Sequence, residues 1–227
     1  MKVLLLANLA GGVGKTTLAQ SIATAASEYG KEVLAIDGDP DAALTFLAGV
    51  ENPRFTLLEV AAGTGKFDGA ITKTLDRFSL LPSASRLIDL PVLPEAFTRE
   101  LVRFELVVID SPSGPSRILP HLIGIADRII APSDGSMLSI RGGLHLRKFI
   151  ERNVNKPTLD LVLNARSTFS VPISDELQSL ETEIRFDEKV QEAQTSSRSA
   201  LSAYPDCDFS SDIREVTYSI LEDFSLI

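Results

Sequence analysis

The 227-residue chain has one cysteine, two histidines, no excess of basic residues and no long apolar run. Each shortage removes a class of function. A lone Cys207 forms no internal disulfide, agrees with a reducing compartment, and reads as a buried structural thiol. With His121 and His145 far apart and outside any carboxylate motif, no His/Cys metal cluster is expected, and both histidines read as structural. The charge balance is 22 basic to 31 acidic residues, net −9. A dedicated nucleic-acid binder is usually basic, so any contact with DNA must come from a local patch. No apolar run approaches the ~20 residues that span a bilayer. The N-terminal apolar run is only about six residues long and ends in a glycine turn, unlike a signal peptide. Repeats, low-complexity tracts and linkers are also missing. With 44% hydrophobic residues, one domain over residues 1–227 is expected.

What is present is an alternation of short apolar runs and amphipathic stretches. Strands are expected at Val3–Ala7, Val33–Asp37, Phe78–Pro82, Glu105–Asp110, Arg128–Pro132 and Leu159–Asn164, with a weak one at Glu183–Phe186. Their continuous apolar character suits a parallel sheet buried on both faces. Helices are expected at Thr16–Tyr29, Asp41–Ala48, Phe55–Ala62, Pro94–Arg103, Ser116–Gly124, Ser136–Asn153, Ser174–Thr182, Asp187–Ser196 and Ser211–Phe224. The alternation predicts an α/β fold: a doubly wound, mostly parallel sheet flanked by helices. Residues 49–77 read as a variable surface segment.

The most informative stretch is Val3–Thr17. An apolar run stops at Asn8, a glycine-rich turn follows, and Lys-Thr-Thr opens a helical pattern. This is the layout of a phosphate-binding loop. Gly11, Gly12 and Gly14, with Val13 between them, let the backbone turn several N–H groups into one hollow. Lys15 supplies a charge for the β- and γ-phosphates, Thr16 a hydroxyl for Mg²⁺, and Thr17 continues the cradle into the helix.

Two further pieces suit the same site. The second strand ends in Asp37-Gly38-Asp39-Pro40-Asp41. Two carboxylates at a strand end can hold metal-bound water or orient an attacking water; position alone equally allows a turn and a helix cap. The run Leu106–Asp110 is an apolar strand ending in a carboxylate, the form of a Walker B strand. Ser111-Pro112-Ser113-Gly114 follows it. Asn164, at the end of another strand, has the amide donor and acceptor suited to a nucleobase edge, or else simply turns the chain.

Gly-Gly-Val-Gly-Lys-Thr-Thr lacks the usual earlier glycine, where Leu9 stands. It resembles the deviant Walker loop of the ParA/MinD family of ATPases. Asp-x-Asp-Pro at 37–40 matches the same family, as do the Ile184–Ala193 segment, Ser196–Leu201 and Tyr204-Pro205. The family's signature lysine is replaced by Ala10, as it is in carboxysome-positioning relatives. The resemblance implies a P-loop NTPase fold with ATP and Mg²⁺ as cofactors. It implies a catalytic role for Asp39 beside Lys15, and metal-shell roles for Thr16, Asp37 and Asp110. It makes 111–114 a γ-phosphate-sensing loop and puts Asn164, Tyr204 and Pro205 at the adenine.

It also implies an ATP-dependent homodimer that binds DNA non-specifically. A cargo-linked partner would stimulate slow hydrolysis to ADP and phosphate. The location would be cytoplasmic and nucleoid-associated. The cargo would be a plasmid, a chromosome origin or a protein body such as a carboxysome. No N-terminal helix-turn-helix segment precedes the loop, so operator binding is not expected. Arg185, Lys189, Arg198 and Arg214 are the candidate DNA contacts. Lys148, then Arg141, on the helix at Ser136–Asn153 are candidates to replace the missing lysine across the dimer. Two alternatives belong to other classes. One is a small-molecule ATP-dependent ligase or kinase, though no residues mark a second substrate pocket. The other is a MinD-like membrane switch, disfavoured because the last helix carries Asp212, Glu215, Glu222 and Asp223 where membrane binding needs cations. An iron–sulfur ATPase is not supported by one late cysteine.

Overall fold

The computed structural model describes residues 1–89, 93–114, 116–165 and 171–227. In chain order the elements are β1 (Lys2–Leu6), α1 (Lys15–Glu28), β2 (Val33–Asp37), α2 (Ala43–Leu47), α3 (Leu57–Ala61), α4 (Phe67–Ala70), β3 (Thr72–Lys73) and β4 (Ser79–Leu81). A 3-10 turn (Ser85–Asp89) leads to α5 (Glu95–Leu101), β5 (Leu106–Asp110), α6 (Leu119–Ile125), β6 (Arg128–Ser133) and α7 (Met137–Glu151). Then come β7 (Thr158–Leu163), β8 (Gln178–Ser179), α8 (Lys189–Gln194), α9 (Ala200–Ala203) and α10 (Asp208–Asp223).

The strands form one sheet in the order β3-β4-β2-β5-β1-β6-β7-β8. All neighbours are parallel except β3 against β4. The period-two pattern of the strands divides their side chains between two cores. Leu4 and Leu6 of β1 and Leu106 and Val108 of β5 face one core, which α1 and α10 close with Leu18, Ile22, Ile213, Val216 and Ile220. Val3, Leu5, Val107 and Ile109 face the other, which α5, α6 and α7 close with Leu101, Leu119, Leu122, Leu146 and Ile150. Burying each such side chain contributes roughly 1.5–3 kcal/mol. β1 lies between β5 and β6, so the connection from β5 to β6 crosses it. The carboxyl end of β1 is thus a topological switch point, where doubly wound sheets bind ligands.

Several expectations are corrected. Residues 174–182 form no helix: Leu177 turns into a small core with Ile140 and Leu161, and β8 pairs with β7 instead. The strand expected at Glu183–Phe186 reduces to one bridge between Asn164 and Ile184. Residues 49–77 hold α3, α4 and β3, α3 opening with a capping box from Thr56 and Glu59. Cys207 is half-buried rather than buried, at the N-cap of α10. His145 is exposed on α7. The apolar face of α10 turns into the core as expected. Among the described residues, no helix is long and apolar enough to cross a membrane.

Candidate nucleotide-binding site

The loop between β1 and α1 bends through two left-handed glycines, Gly12 (φ 74°) and Gly14 (φ 94°). Gly14 is fixed twice over: a Cβ there would lie 2.3 Å from Asn164 Nδ2. Asn164 donates to the Val13 carbonyl at 2.9 Å, bracing the loop from the end of β7. Lys15, only 5% exposed, donates to the Ala10 carbonyl (3.0 Å) and the Ser113 hydroxyl (2.9 Å). Burial lowers its pKa, while Asp110 and Asp39 pull it back up. Ser113 belongs to the 111–114 loop, whose Gly114 N–H donates to the Leu9 carbonyl. The two loops are therefore joined before any phosphate arrives.

Asp37 and Asp110 are register partners on adjacent strands and are fully buried. Asp37 accepts from the Thr45 N–H (2.8 Å), the Thr45 hydroxyl (2.7 Å) and the Asp39 N–H (3.1 Å). Burial nevertheless raises its pKa to about 6. For Asp110, neither carboxylate oxygen has a hydrogen-bond partner. Burial, then repulsion from Asp37, raises its pKa well above the usual range; the neighbouring Thr16 hydroxyl works the other way. Two buried carboxylates, one of them orphaned, are costly without a cation. Among the described residues there is no cluster of three or more His, Cys, Asp or Glu able to hold a metal alone. That fits Mg²⁺, which keeps waters and uses one or two carboxylates together with substrate phosphates.

Gly38 makes this approach of strand ends possible. Its N–H donates to the Asp110 carbonyl, and a Cβ there would lie 2.7 Å from that oxygen. Half-buried Asp39 has one oxygen occupied by the Asp41 N–H at 3.0 Å.

A pocket of about 250 Å³ opens beside the loop, lined by Gly12, Gly14, Thr17, Asn164, Phe186, Val190 and Phe209 among others. Tyr204 and Pro205 do not line it. Tyr204 instead donates to Glu192 with Lys189 over its ring, and the Pro205 carbonyl accepts from Arg214. Of the four candidate DNA contacts, three are held in ion pairs: Arg185 with Asp208 and Asp212, Lys189 with Glu192, and Arg214 with Glu28. Lys148 lies in the last turn of α7, about 16 Å along the axis from its first residue. Arg141 lies in the second turn, closer to the loop.

Asn8 and Gly142 were missed by sequence reasoning. Buried Asn8 donates to the Pro132 carbonyl (2.8 Å) and the Ser139 carbonyl (3.1 Å) and accepts from the Ala10 N–H (2.9 Å). It pins the start of the loop to the joint between β6 and α7. Gly142 gives it room: a Cβ there would lie 2.1 Å from Asn8 Oδ1 and 2.9 Å from Ala10 N.

The sequence profile of a family described as an AAA domain matches residues 1–163. Over 168 residues, 71% of this chain and 64% of the relative, it is 33% identical to an ATP-binding protein of Methanocaldococcus jannaschii. Identity is 31% to the maintenance of carboxysome distribution protein A of Synechococcus elongatus, over 57% of each chain. It is 32% to the chromosome-partitioning ATPase Soj of Thermus thermophilus, over 60% of this chain and 56% of Soj. The chain belongs to the ParA/MinD family. The match spans about 56–64% of these relatives' lengths. Among solved structures, MinD of Pyrococcus horikoshii with Mg-ADP superposes with a TM-score of 0.86 at 23% identity, over 96% of this chain and 95% of that one. Cobyrinic acid a,c-diamide synthase of Mycobacterium smegmatis gives 0.81 at 23% identity, over 99% and 95%. The fold is thus shared by ParA/MinD proteins and by a synthase.

Proposed function

We propose that this chain is an ATP-driven switch that positions or partitions a cargo, hydrolysing ATP to ADP and phosphate. The observation that carries the reading is the buried Asp110 carboxylate, orphaned beside Asp37 and the Thr16 hydroxyl at the mouth of the glycine loop. The β- and γ-phosphates would fill the hollow of that loop. Lys15 would turn from Ala10 and Ser113 to the phosphate oxygens, releasing the 111–114 loop to respond. Mg²⁺, held by Thr16 with Asp37 and Asp110 behind its waters, would neutralise charge on the transferring phosphoryl group. The second carboxylate oxygen of Asp39 would orient the attacking water. The adenine would enter the pocket between Asn164, Phe186 and Phe209.

The output would be a conformational cycle. ATP would join two copies across their loops, the joined form would bind DNA without sequence preference, and a cargo-linked partner would speed hydrolysis. The kinship with Soj and with the carboxysome distribution protein supports this over a metabolic role. Against a membrane switch, α10 turns its apolar face inward. Calorimetry of Mg-ATP binding tests the site: wild type binds, and Lys15→Ala loses at least about tenfold in affinity, a 1.4 kcal/mol difference. Unchanged affinity refutes it. Phosphate release from Mg-ATP alone then separates a switch from a ligase, which would need a carboxylate or amine co-substrate.

A further inference from the structure

We infer that the outer face of α7, through Arg141, His145, Lys148 and Arg152, is the surface that grips the phosphate backbone of double-stranded DNA. The inference rests on the proposed DNA-binding cycle and names the surface that serves it.

The four side chains are spaced four, three and four residues apart. On a helix this puts them within an arc of about 60° along about 16 Å of axis. All four are exposed. The opposite side of the same helix is buried through Ile140, Leu146 and Ile150. Among the described residues no salt bridge holds any of the four, and no acidic residue interrupts the stripe. Arg147, one position off it, is the cation of α7 that is engaged, with Glu151 and the Glu176 carbonyl. In a chain of net charge −9, Arg141, Lys148 and Arg152 form a line of three unpaired cations on one helix face, with the His145 ring among them. In the C-terminal third, by contrast, Arg185, Lys189 and Arg214 are already paired. Phosphate would have to displace carboxylates there.

The chemistry favours a duplex backbone as the occupant. Duplex DNA carries one negative charge per about 1.7 Å of axis, counting both strands, so a length of duplex equal to the stripe carries about nine charges in all. Arginine forks suit phosphate oxygens. No Asn or Gln interleaves the stripe to read base edges, so binding should be indifferent to sequence. The stripe is also tied to the nucleotide site, since Gly142, next to Arg141, lies against Asn8 and the Ala10 N–H of the loop. Two protomers joined by ATP would present two stripes, which makes binding nucleotide-dependent.

The test is fluorescence anisotropy with a labelled duplex of about 30 bp and arbitrary sequence, in Mg-ATP, over a salt series from about 50 mM. The wild type is expected to bind with a steep salt dependence. Lys148→Gln/Arg152→Gln should weaken binding at least tenfold and flatten the log–log salt slope by about 1.8 per protomer. His145→Lys should tighten binding and steepen the slope by about 0.9 per protomer, a gain that misfolding cannot mimic. Lys189→Gln/Arg214→Gln should leave the slope near wild type. If that C-terminal pair loses binding while the α7 variants match wild type, the α7 assignment is overturned and DNA binding stands. If the wild type binds no duplex at low salt, both fall, and the stripe is left to an acidic protein partner.

Discussion

Gly142→Ala is a one-methyl change that should damage the nucleotide site from a neighbouring helix. The new Cβ would lie 2.1 Å from Asn8 Oδ1 and 2.9 Å from Ala10 N, closer than atoms can approach, and the second contact is backbone. Either α7 moves off the sheet or Asn8 swings away. Moving the helix overpacks the joint at a cost of about 1–3 kcal/mol. Swinging Asn8 surrenders three hydrogen bonds, two of them buried, and leaves buried partners unsatisfied, at about 1–3 kcal/mol each where water does not enter. Better helix propensity returns only about 1 kcal/mol. The cheaper route sets the outcome, so a net loss of up to about 2 kcal/mol is expected, which lowers the Tm by up to about 8 °C for a chain of this size. Gly143→Ala is the matched control: its Cβ would meet only side-chain ends, the nearest being Leu177 at 3.3 Å, so it should be neutral or stabilising. Calorimetric melting with Mg-ATP titration reads both effects, and Gly142→Ala should also weaken ATP binding because Asn8 sets the Ala10 turn. In the Asn8→Ala background most of the penalty should vanish. Equal Tm and equal ATP affinity for Gly142→Ala and Gly143→Ala would refute the latch.

Two further changes probe charge and contact. Asp110→Asn removes a buried charge that faces Asp37 while keeping an oxygen toward the Thr16 hydroxyl; the ligand-free protein should melt a few degrees higher, about 2–4 °C per kcal/mol, while Mg-ATP no longer raises its Tm. A lower ligand-free Tm would contradict the electrostatic account. Met137 and Leu138, at the loop end of α7, are 69% and 74% exposed; Leu138→Asp should leave the Tm unchanged but weaken the ATP-dependent dimer at least about tenfold in sedimentation, since exposed apolar groups of this size mark contact surfaces.

The parts of the site that were legible are those written in consecutive residues. Gly11 to Thr17 announces itself because loop, lysine and hydroxyl are neighbours in the chain. Asp110 ends an apolar run, and β5 has the expected form for the same local reason. Asn8 and Gly142 were invisible because their meaning is a contact across more than a hundred residues, between the first strand and the seventh helix. Thr45, which holds Asp37 with both its N–H and its hydroxyl, lies only eight residues on, but nothing in its spacing marks it as the partner. The helix expected at 174–182 failed because Leu177 and Leu180 have helical spacing, yet β7 offers a free edge and Leu180 donates its N–H to Leu161 instead. The pairing of the C-terminal cations was hidden for a related reason: their place in the sequence does not show that Asp212 and Glu28 meet Arg185 and Arg214.

In the proposed cycle ATP joins two copies and Asp39 ends the joined state. Light scattering of Asp39→Ala with Mg-ATP, followed by analysis of the bound nucleotide, tests it most directly. A lasting dimer holding uncleaved ATP is expected, where wild type returns to monomer with ADP. A variant that stays monomeric while binding ATP, or that turns over at the wild-type rate, would contradict it.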